Sequence, residues 1–307
     1  MIAMKTPFTL VLALILGFTA FSGSAADKKI ILIAGKPSHG PGAHEFRAGC
    51  LLLKICLDQL PGINSTVYSN GWPTRVVDGK TEDDNSVFGG ATEIFIYCDG
   101  AGGHPAIKPD RLKLLDDLAK SGVGLGFAHY AVEVPKGDPG DAMLRWTGGY
   151  FETFFSVNPT FAAEFKEFPA HPVTRGVKPF SARDEWYYHM RFRENMAGVI
   201  PILTTIPPDA TRGRPGSNSD RGGNPEVQKH MGEAEHMMWV TERADGGRAF
   251  GFTGGHFHKN WGEEDFRKIV LNAILWTAKV EVPKDGAVTT VTPEQLAADL
   301  DPKGRRP

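Results

Sequence analysis

The chain has 307 residues, of which 41% are hydrophobic and 23% are charged, and its formal net charge is −2 at pH 7. A charge so close to zero gives no electrostatic footprint for binding nucleic acid or an anionic membrane surface, so neither is predicted as a partner. The three cysteines, Cys50, Cys56 and Cys98, lie in apolar stretches and do not indicate a disulfide framework.

The first 26 residues are typical of an export signal. Lys5 precedes an apolar run from Phe8 to Phe21, and Ser24-Ala25-Ala26 supplies the small residues that signal peptidase requires. We therefore predict cleavage after Ala26, a periplasmic or secreted protein, and no stable membrane insertion after cleavage. An uncleaved N-terminal anchor is the alternative, although the apolar run is short for a membrane span. The sequence does not indicate an oligomeric state.

Buried strands and amphipathic helices alternate through the first half of the remaining chain. Near-continuous apolar runs that end in glycine or a polar residue are typical of strands covered on both faces. This alternation predicts an α/β fold with a doubly wound, mostly parallel sheet flanked by helices, as in flavodoxin-like proteins. Residues 70–91 are polar and are predicted to form a loop with at most one helical turn. The strands are "KKIILIAG", "NSTVYSN", "TEIFIYCDG" and "VGLGFAHYA", and the helices are "EFRAGCLLLKICLDQL" and "KPDRLKLLDDLAKSG".

The second half is less regular. A strand "GVIPILTTI" is followed by residues 207–235, which contain few large apolar side chains and are predicted to be a long surface loop or lid. A hairpin turning at Asp245-Gly246-Gly247 and a helix from Glu263 to Ala278 come next. The predicted α/β domain therefore spans residues 27–280. Residues 281–307 form a tail with a short helix capped by Thr292.

Chemistry-bearing residues follow several of the predicted strands. Ligands of open parallel sheets bind beyond the carboxyl ends of the strands, so these side chains are expected to gather at one sheet edge. His39, His129 and His256 each follow a buried strand, and Glu185 follows an acidic, aromatic one. Lone loop histidines are more often structural, and this is the expectation for the remaining set. That set is His44, His104, His171, His230 and His236.

Two kinds of chemistry suit these residues. Imidazoles and a carboxylate are metal ligands, which makes His39, His129 and His256 candidate ligands of a divalent metal. The spacings are long, however, and only His256-x-His258 is a local pair. The same groups could instead act as general acid and base, because histidine titrates near neutrality. No cofactor is therefore assigned, and a divalent metal stays an option.

Four stretches of the sequence form a recognisable set: "GLGFAHYA", "HPVTRGVKPFSARDEWYY", "MMWVTERADGGRAFGFTGGHFHKNW" and "IVLNAILWTA". Taken together they resemble the ThuA-like, or trehalose-utilisation, family, which is similar in fold to class I glutamine amidotransferases. The resemblance covers residues 28 to about 280. It departs from the family pattern at Val132-Glu133-Val134 and in the 207–235 loop, so no substrate detail is carried over.

The resemblance implies a role in carbohydrate metabolism, with a small-molecule carbohydrate as the partner. The resemblance also draws attention to a missing cysteine nucleophile. A glutamine amidotransferase needs a cysteine nucleophile on the turn after a strand, and this sequence has Phe127-Ala128-His129 there. Glutaminase chemistry is therefore not expected.

We expect an exported enzyme that performs acid/base chemistry on a sugar or keto-sugar, by isomerisation, elimination or hydrolysis. The alternatives are a non-catalytic sugar-binding or scaffold domain and a metal-dependent hydrolase. The candidate catalytic residues are His39, His129, Glu185 and His256. The candidate substrate-binding residues are Asp99, Trp186, Tyr187, His189 and Trp261.

Overall fold

A computed structural model describes residues 27–304 except 215, 218 and 220. The predicted signal segment lies outside the described residues. None of the described helices is long and apolar enough to cross a membrane.

In the described part of the chain, thirteen strands form one large sheet and three two-stranded ribbons. The buried strands are rich in β-branched and aromatic residues, which pack well on a pleated surface. In chain order the strands are β1 Lys28–Ala34, β2 Ile63–Tyr68, β3 Thr74–Val77, β4 Lys80–Asp83, β5 Ala91–Tyr97, β6 Gly124–Ala128, β7 Gly149–Tyr150, β8 Thr160–Phe165, β9 Phe180–Glu185, β10 Arg191–Phe192, β11 Val199–Thr205, β12 Glu235–Glu242 and β13 Arg248–Phe252.

The central sheet has seven strands in the order β11-β12-β13-β6-β5-β1-β2. Strands β2, β1, β5, β6 and β13 run parallel, while β12 and β11 add an antiparallel edge. The chain passes from β1 to β2 on one side and later to β5 on the other. The predicted doubly wound, mostly parallel sheet is confirmed, and its topological switch point lies between β1 and β5.

Helices cover both faces of this sheet, and each face has its own apolar core. Phe46 and Phe266 belong to the core under the first and fifth helices, whereas Leu115 and Trp146 belong to the core under the second and third. The sheet is therefore buried on both sides, as the apolar strands predicted. The helices are α1 Phe46–Leu57, α2 Pro109–Lys120, α3 Asp138–Trp146, α4 Pro225–Gln228, α5 Glu264–Thr277 and α6 Pro293–Ala297.

The prediction of a loop over residues 70–91 is wrong in part. Strands β3 and β4 form an antiparallel hairpin, whose turn contains Asp78 at φ 50° and Gly79 at φ 74°. Asp-Gly with two positive φ values is the usual two-residue hairpin turn. The strands are polar and mostly exposed, so hydrophobic alternation gave no signal for them. The predicted cap of α6 is confirmed: Thr292 and Gln295 form a capping box.

Candidate functional site

Three histidines and one glutamate converge at the carboxyl edge of the sheet. His44 lies in the loop after β1, His129 directly follows β6, Glu185 ends β9, and His256 follows β13. One potential ligand atom from each of the four residues lies within 4.8 Å of all the others. Parallel strands bring residues that are far apart in sequence to one edge, which explains how the chain assembles this cluster.

The ring nitrogens and the carboxylate face a common point. His44 Nε2 lies 3.1 Å from His129 Nε2 and 3.0 Å from His256 Nδ1. Glu185 Oε2 lies 3.0 Å from His256 Nδ1 and 3.6 Å from His129 Nε2. Four ligands around a tetrahedral metal with bonds of ~2.0–2.2 Å are separated by about 3.3–3.6 Å, so these spacings are close to those of a coordination sphere.

The outer nitrogens of two rings are held by acceptors. His129 Nδ1 lies 3.0 Å from the carbonyl oxygen of Thr253, which can only accept, so Nδ1 carries the proton. His44 Nδ1 lies 3.0 Å from Asp99 Oδ1, which also accepts a hydrogen bond of 2.8 Å from the Ser38 hydroxyl. Carbonyl and carboxylate partners of this kind orient the imidazoles that ligate metals.

Burial keeps these two imidazoles neutral. It lowers the pKa of His129 well below the usual value, with a further contribution from His44. It lowers the pKa of His44 to about 2, assisted by the nearby charges of His39, His256 and Lys303. Burial alone would raise the pKa of Glu185, but the hydrogen bond from His256 and the charge of His129 lower it. With protons on the outer nitrogens, the two Nε2 lone pairs face each other.

The backbone at the cluster is held in an uncommon conformation. His44 has φ 50° and His129 has φ 53°, in the left-handed region that non-glycine residues rarely adopt. Surrounding structure must impose such angles, which tend to occur at functional sites.

Buried Asp184 holds the loop that carries His256. Its carboxylate accepts hydrogen bonds from the backbone N–H groups of Gly255, at 2.7 Å, and His256, at 3.0 Å, and from Asn260 Nδ2 at 3.0 Å. The hydroxyl of buried Tyr97 donates to the Gly255 carbonyl oxygen. These contacts fix the turn after β13 and so determine where the His256 ring points.

Two further predicted residues border the cluster. His39 is exposed, and its ring lies over that of His44 with 3.6 Å between centroids. The Tyr187 ring lies 4.8 Å from that of His129, and its hydroxyl donates to Glu185 Oε2 at 3.5 Å. His39 is therefore at the solvent side of the cluster and Tyr187 at its buried side, while Asp99 contacts His44 from behind.

Three other predicted residues lie elsewhere. Trp186 and Trp261 have no exposed surface and pack against Phe266 in the core, so neither ring face is available to a sugar. His189 pairs with Glu235 at 3.2 Å, away from the cluster. These three are corrections to the predicted substrate-binding set.

His258 also points away from the cluster, because its Nε2 lies 2.8 Å from the Leu296 carbonyl oxygen. The local His256-x-His258 pair therefore does not converge on one point.

Sequence reasoning missed His44, which it had assigned a structural role. Its signal was its position in the loop that follows β1 and also contains His39, ten residues after Ala34 ends that strand. Both residues have a left-handed backbone, yet the His44 ring is buried and His39 is exposed. No periodic pattern carries that information, so the choice between the two rings depended on the three-dimensional structure.

The fold and the cluster define a doubly wound α/β protein with a histidine–carboxylate centre at the carboxyl edge of its sheet. Residues 90–277 match the family ThuA, described as Trehalose utilisation. The match covers more than half of the chain, and the chain belongs to the ThuA family.

Two solved structures share the fold. A ThuA-like protein of Bacteroides uniformis ATCC 8492 has a TM-score of 0.56 and 14% identity, over 85% of this chain and 95% of that chain. A ThuA-like protein of Parabacteroides merdae ATCC 43184 has a TM-score of 0.53 and 16% identity, over 88% of this chain and 99% of that chain. No curated protein matches this chain in sequence. The structural likeness supports the fold alone.

Proposed function

We propose that this protein is a metal-dependent enzyme of carbohydrate metabolism. In this proposal His44, His129 and His256 bind one divalent transition metal, and Glu185 lies at a fourth coordination position. Nitrogen and carboxylate ligands suit zinc, manganese, iron, cobalt and nickel, all of which can also bind substrate oxygens at open positions.

The facing lone pairs of His44 and His129 carry the proposal. His129 Nδ1 must donate to the Thr253 carbonyl oxygen, so its Nε2 is an acceptor that lies 3.1 Å from His44 Nε2. If His44 Nε2 carried a proton, His44 Nδ1 would instead face the Asp99 carboxylate as an acceptor. With Asp99 ionised, the tautomer of His44 that donates to Asp99 leaves the two Nε2 lone pairs in contact, and a cation between the rings removes that repulsion.

The chemistry follows from the position of the centre. A divalent metal polarises a carbonyl oxygen or lowers the pKa of bound water, and either effect suits isomerisation, elimination or hydrolysis of a keto-sugar. His39 is exposed and stacked on His44, so it is the group best placed to exchange a proton with a bound sugar. Tyr187 keeps Glu185 oriented through its hydroxyl.

The sugar substrate is proposed on the family description, Trehalose utilisation. Export to the periplasm or beyond is proposed on the apolar N-terminal segment and the small residues before Asp27.

Metal binding is the first test. Chelator-treated protein titrated with ZnCl₂ or MnCl₂ in a calorimeter should bind about one ion per chain. His44→Ala and His129→Ala should each lower the affinity at least ~100-fold, because each removes one ligand. His230→Ala is the matched control, since His230 pairs with Glu233 outside the cluster and should bind metal like the wild type.

Catalysis is the second test. Keto-glycosides and unmodified glycosides are incubated with metal-loaded and metal-free protein, and with His256→Ala. Turnover that requires both the metal and His256 is expected. Equal turnover by the metal-free protein would show acid/base chemistry without a metal and would refute the proposal.

A further inference from the structure

A cavity lies beside the histidine–glutamate cluster, which it meets at Asp99, but is not part of it. It has a volume of 760 Å³, which is ample for a small-molecule ligand. Gly35 and Lys36 line it after β1, and Cys98 and Asp99 line it after β5. It therefore opens at the topological switch point of the sheet, where doubly wound proteins bind their ligands.

Asp99 joins this cavity to the cluster. Its side chain is 30% exposed and lines the cavity, while its Oδ1 lies 3.0 Å from His44 Nδ1. Asp99 therefore forms part of the wall between the cavity and His44, on the side of the ring that carries Nδ1.

The cavity is lined by more basic than acidic side chains. Lys36 and Lys108 line it, and neither forms an ion pair within 4.0 Å with any residue in the described part of the chain, although the charge of Lys108 helps to lower the pKa of Asp83. Arg111 also lines it, but both Nε and Nη2 donate to Asp83 at 2.6 Å, so its charge is neutralised. Asp99 is the acidic lining residue, and it already accepts from Ser38.

One wall of the cavity is rigid. The indole N–H of Trp72 donates to Asn85 at 3.0 Å, and the Arg111 guanidinium lies 5.1 Å from the centre of the Trp72 ring. Trp72 is 5% exposed, so it shapes the wall rather than moving to meet a ligand. Lys36 and Lys108 are exposed, and their side chains are long enough to reach an anion in the cavity.

We propose that this cavity is a subsite for an anionic substituent of the substrate, a carboxylate or a phosphate, on a sugar whose reacting part lies at the histidine–glutamate cluster. Lys36 and Lys108 supply the charge that binds the substituent. The substrate class is then an acidic or phosphorylated sugar rather than a neutral one. The inference rests on the proposed function for the position of the reacting part, but binding in the cavity does not require a metal.

Calorimetric titrations with D-glucuronate, glucose 6-phosphate and glucose test this. Wild-type protein should bind at least one of the two anionic sugars about tenfold or more tightly than glucose, because charge-assisted hydrogen bonds are the stronger ones. The glucuronate and phosphate arms identify which anion is preferred. The double variant Lys36→Met/Lys108→Met should lose the preference for the anion.

The control is Lys80→Met/Lys284→Met, which removes the same charge from exposed sites outside the cavity and should keep the preference. Equal binding of glucose and both anions, or an unchanged Lys36→Met/Lys108→Met protein, would overturn the inference. A metal titration of the same variant separates the two proposals. Unchanged metal affinity with lost anion binding supports the subsite, whereas absent metal binding in the wild type refutes only the proposed metal centre.

Discussion

Glu93 is the most unusual single residue outside the site. It lies in β5 with no exposed surface, and neither carboxylate oxygen has a hydrogen-bond partner in the described structure. Gly124 and Gly126 of the neighbouring strand make room for it, since a Cβ at Gly124 would lie 2.0 Å from Glu93 Oε2. Burial raises the pKa of Glu93 well above its usual value, although the nearby Thr277 side chain and the charge of Arg243 oppose this. The titration of this carboxyl group therefore makes the free energy of unfolding depend on pH.

The sign of that dependence is fixed by linkage. Between the unfolded pKa near 4.5 and the raised folded pKa, only the folded protein holds the proton, so the free energy of unfolding falls as pH rises. Glu93→Gln removes this titration. The stability of Glu93→Gln relative to wild type should therefore grow by up to ~1.4 kcal/mol per pH unit above pH 5. Urea unfolding at pH 5, 6, 7 and 8 measures it, and a difference that does not vary with pH would contradict the prediction.

At the residue scale the sequence predicted His129, His256 and Glu185 because each follows a strand. It could not place Trp186 or Trp261, since an aromatic residue at a strand end can face either the core or the solvent. Whether each ring faces the core or the solvent depends on the apolar residues that pack around it in three dimensions. For Trp186 those neighbours are Phe165, Phe252 and Phe266, which come from three separate elements.

At the scale of elements, the C-terminal tail braces the loop that bears His44. Lys303 Nζ donates to the carbonyl oxygens of Ala43, at 2.5 Å, and His44, at 3.1 Å, and lies 3.2 Å from Glu45 Oε1. Glu45 Oε2 accepts from the Asp301 backbone N–H at 2.9 Å. Lys303 is 6% exposed and Glu45 1%, so this is a buried ion pair that ties the chain end to the site.

Loss of this brace should weaken the protein and the site together. Lys303→Met leaves Glu45 buried without its partner, which should lower the free energy of unfolding by about 1–3 kcal/mol. Metal affinity should fall about tenfold, because the carbonyl oxygens of Ala43 and His44 each lose a hydrogen bond that positions this loop.

Thermal unfolding and metal titration of Lys303→Met, with exposed Lys284→Met as the control, test this. Adding Glu45→Gln to Lys303→Met should recover part of the stability, since the uncompensated charge is removed. A Lys303→Met protein as stable as the control and with unchanged metal affinity would show that the tail plays no such part.

Sequence patterns predicted the elements of the sheet better than the elements around it. Strand β1 and helix α5 have a continuous apolar run and a helical period, and both formed as predicted. For the C-terminal tail, the sequence predicted only the short helix capped by Thr292. Its contacts with Glu45 join residues more than 250 positions apart, and a single sequence contains no local signal for such a contact.

At the scale of the whole molecule, the proposed metal would connect elements from both halves of the sheet. A ligand that binds only the native state stabilises it by about 2.7 kcal/mol at a concentration 100 times its dissociation constant. Removing the metal with a chelator should therefore lower Tm by about 4–5 °C for a chain of this size.

Scanning calorimetry with and without ethylenediaminetetraacetate measures the shift. His129→Ala/His256→Ala is the matched protein, because it lacks two ligands and should not respond to the chelator. A shift of the same size in both proteins would place the effect outside the cluster.

The alternation of apolar strands and amphipathic helices predicted the doubly wound fold, since few arrangements bury the apolar surfaces of both kinds of element. The hairpin at Asp78-Gly79 was missed because its strands cover no core. The sequence predicted that the cluster residues lie at the carboxyl edge of the sheet, but it could not predict how their side chains are arranged there.

The order of assembly follows from where the four candidate ligands lie along the chain. His44 and His129 are 85 residues apart, and His44 and His256 are 212 apart. Contacts between such distant positions form only after large loops have closed, which makes them late events in folding. An ion that meets the growing chain would find single imidazoles and no pocket. Metal uptake would therefore report that synthesis and folding are complete.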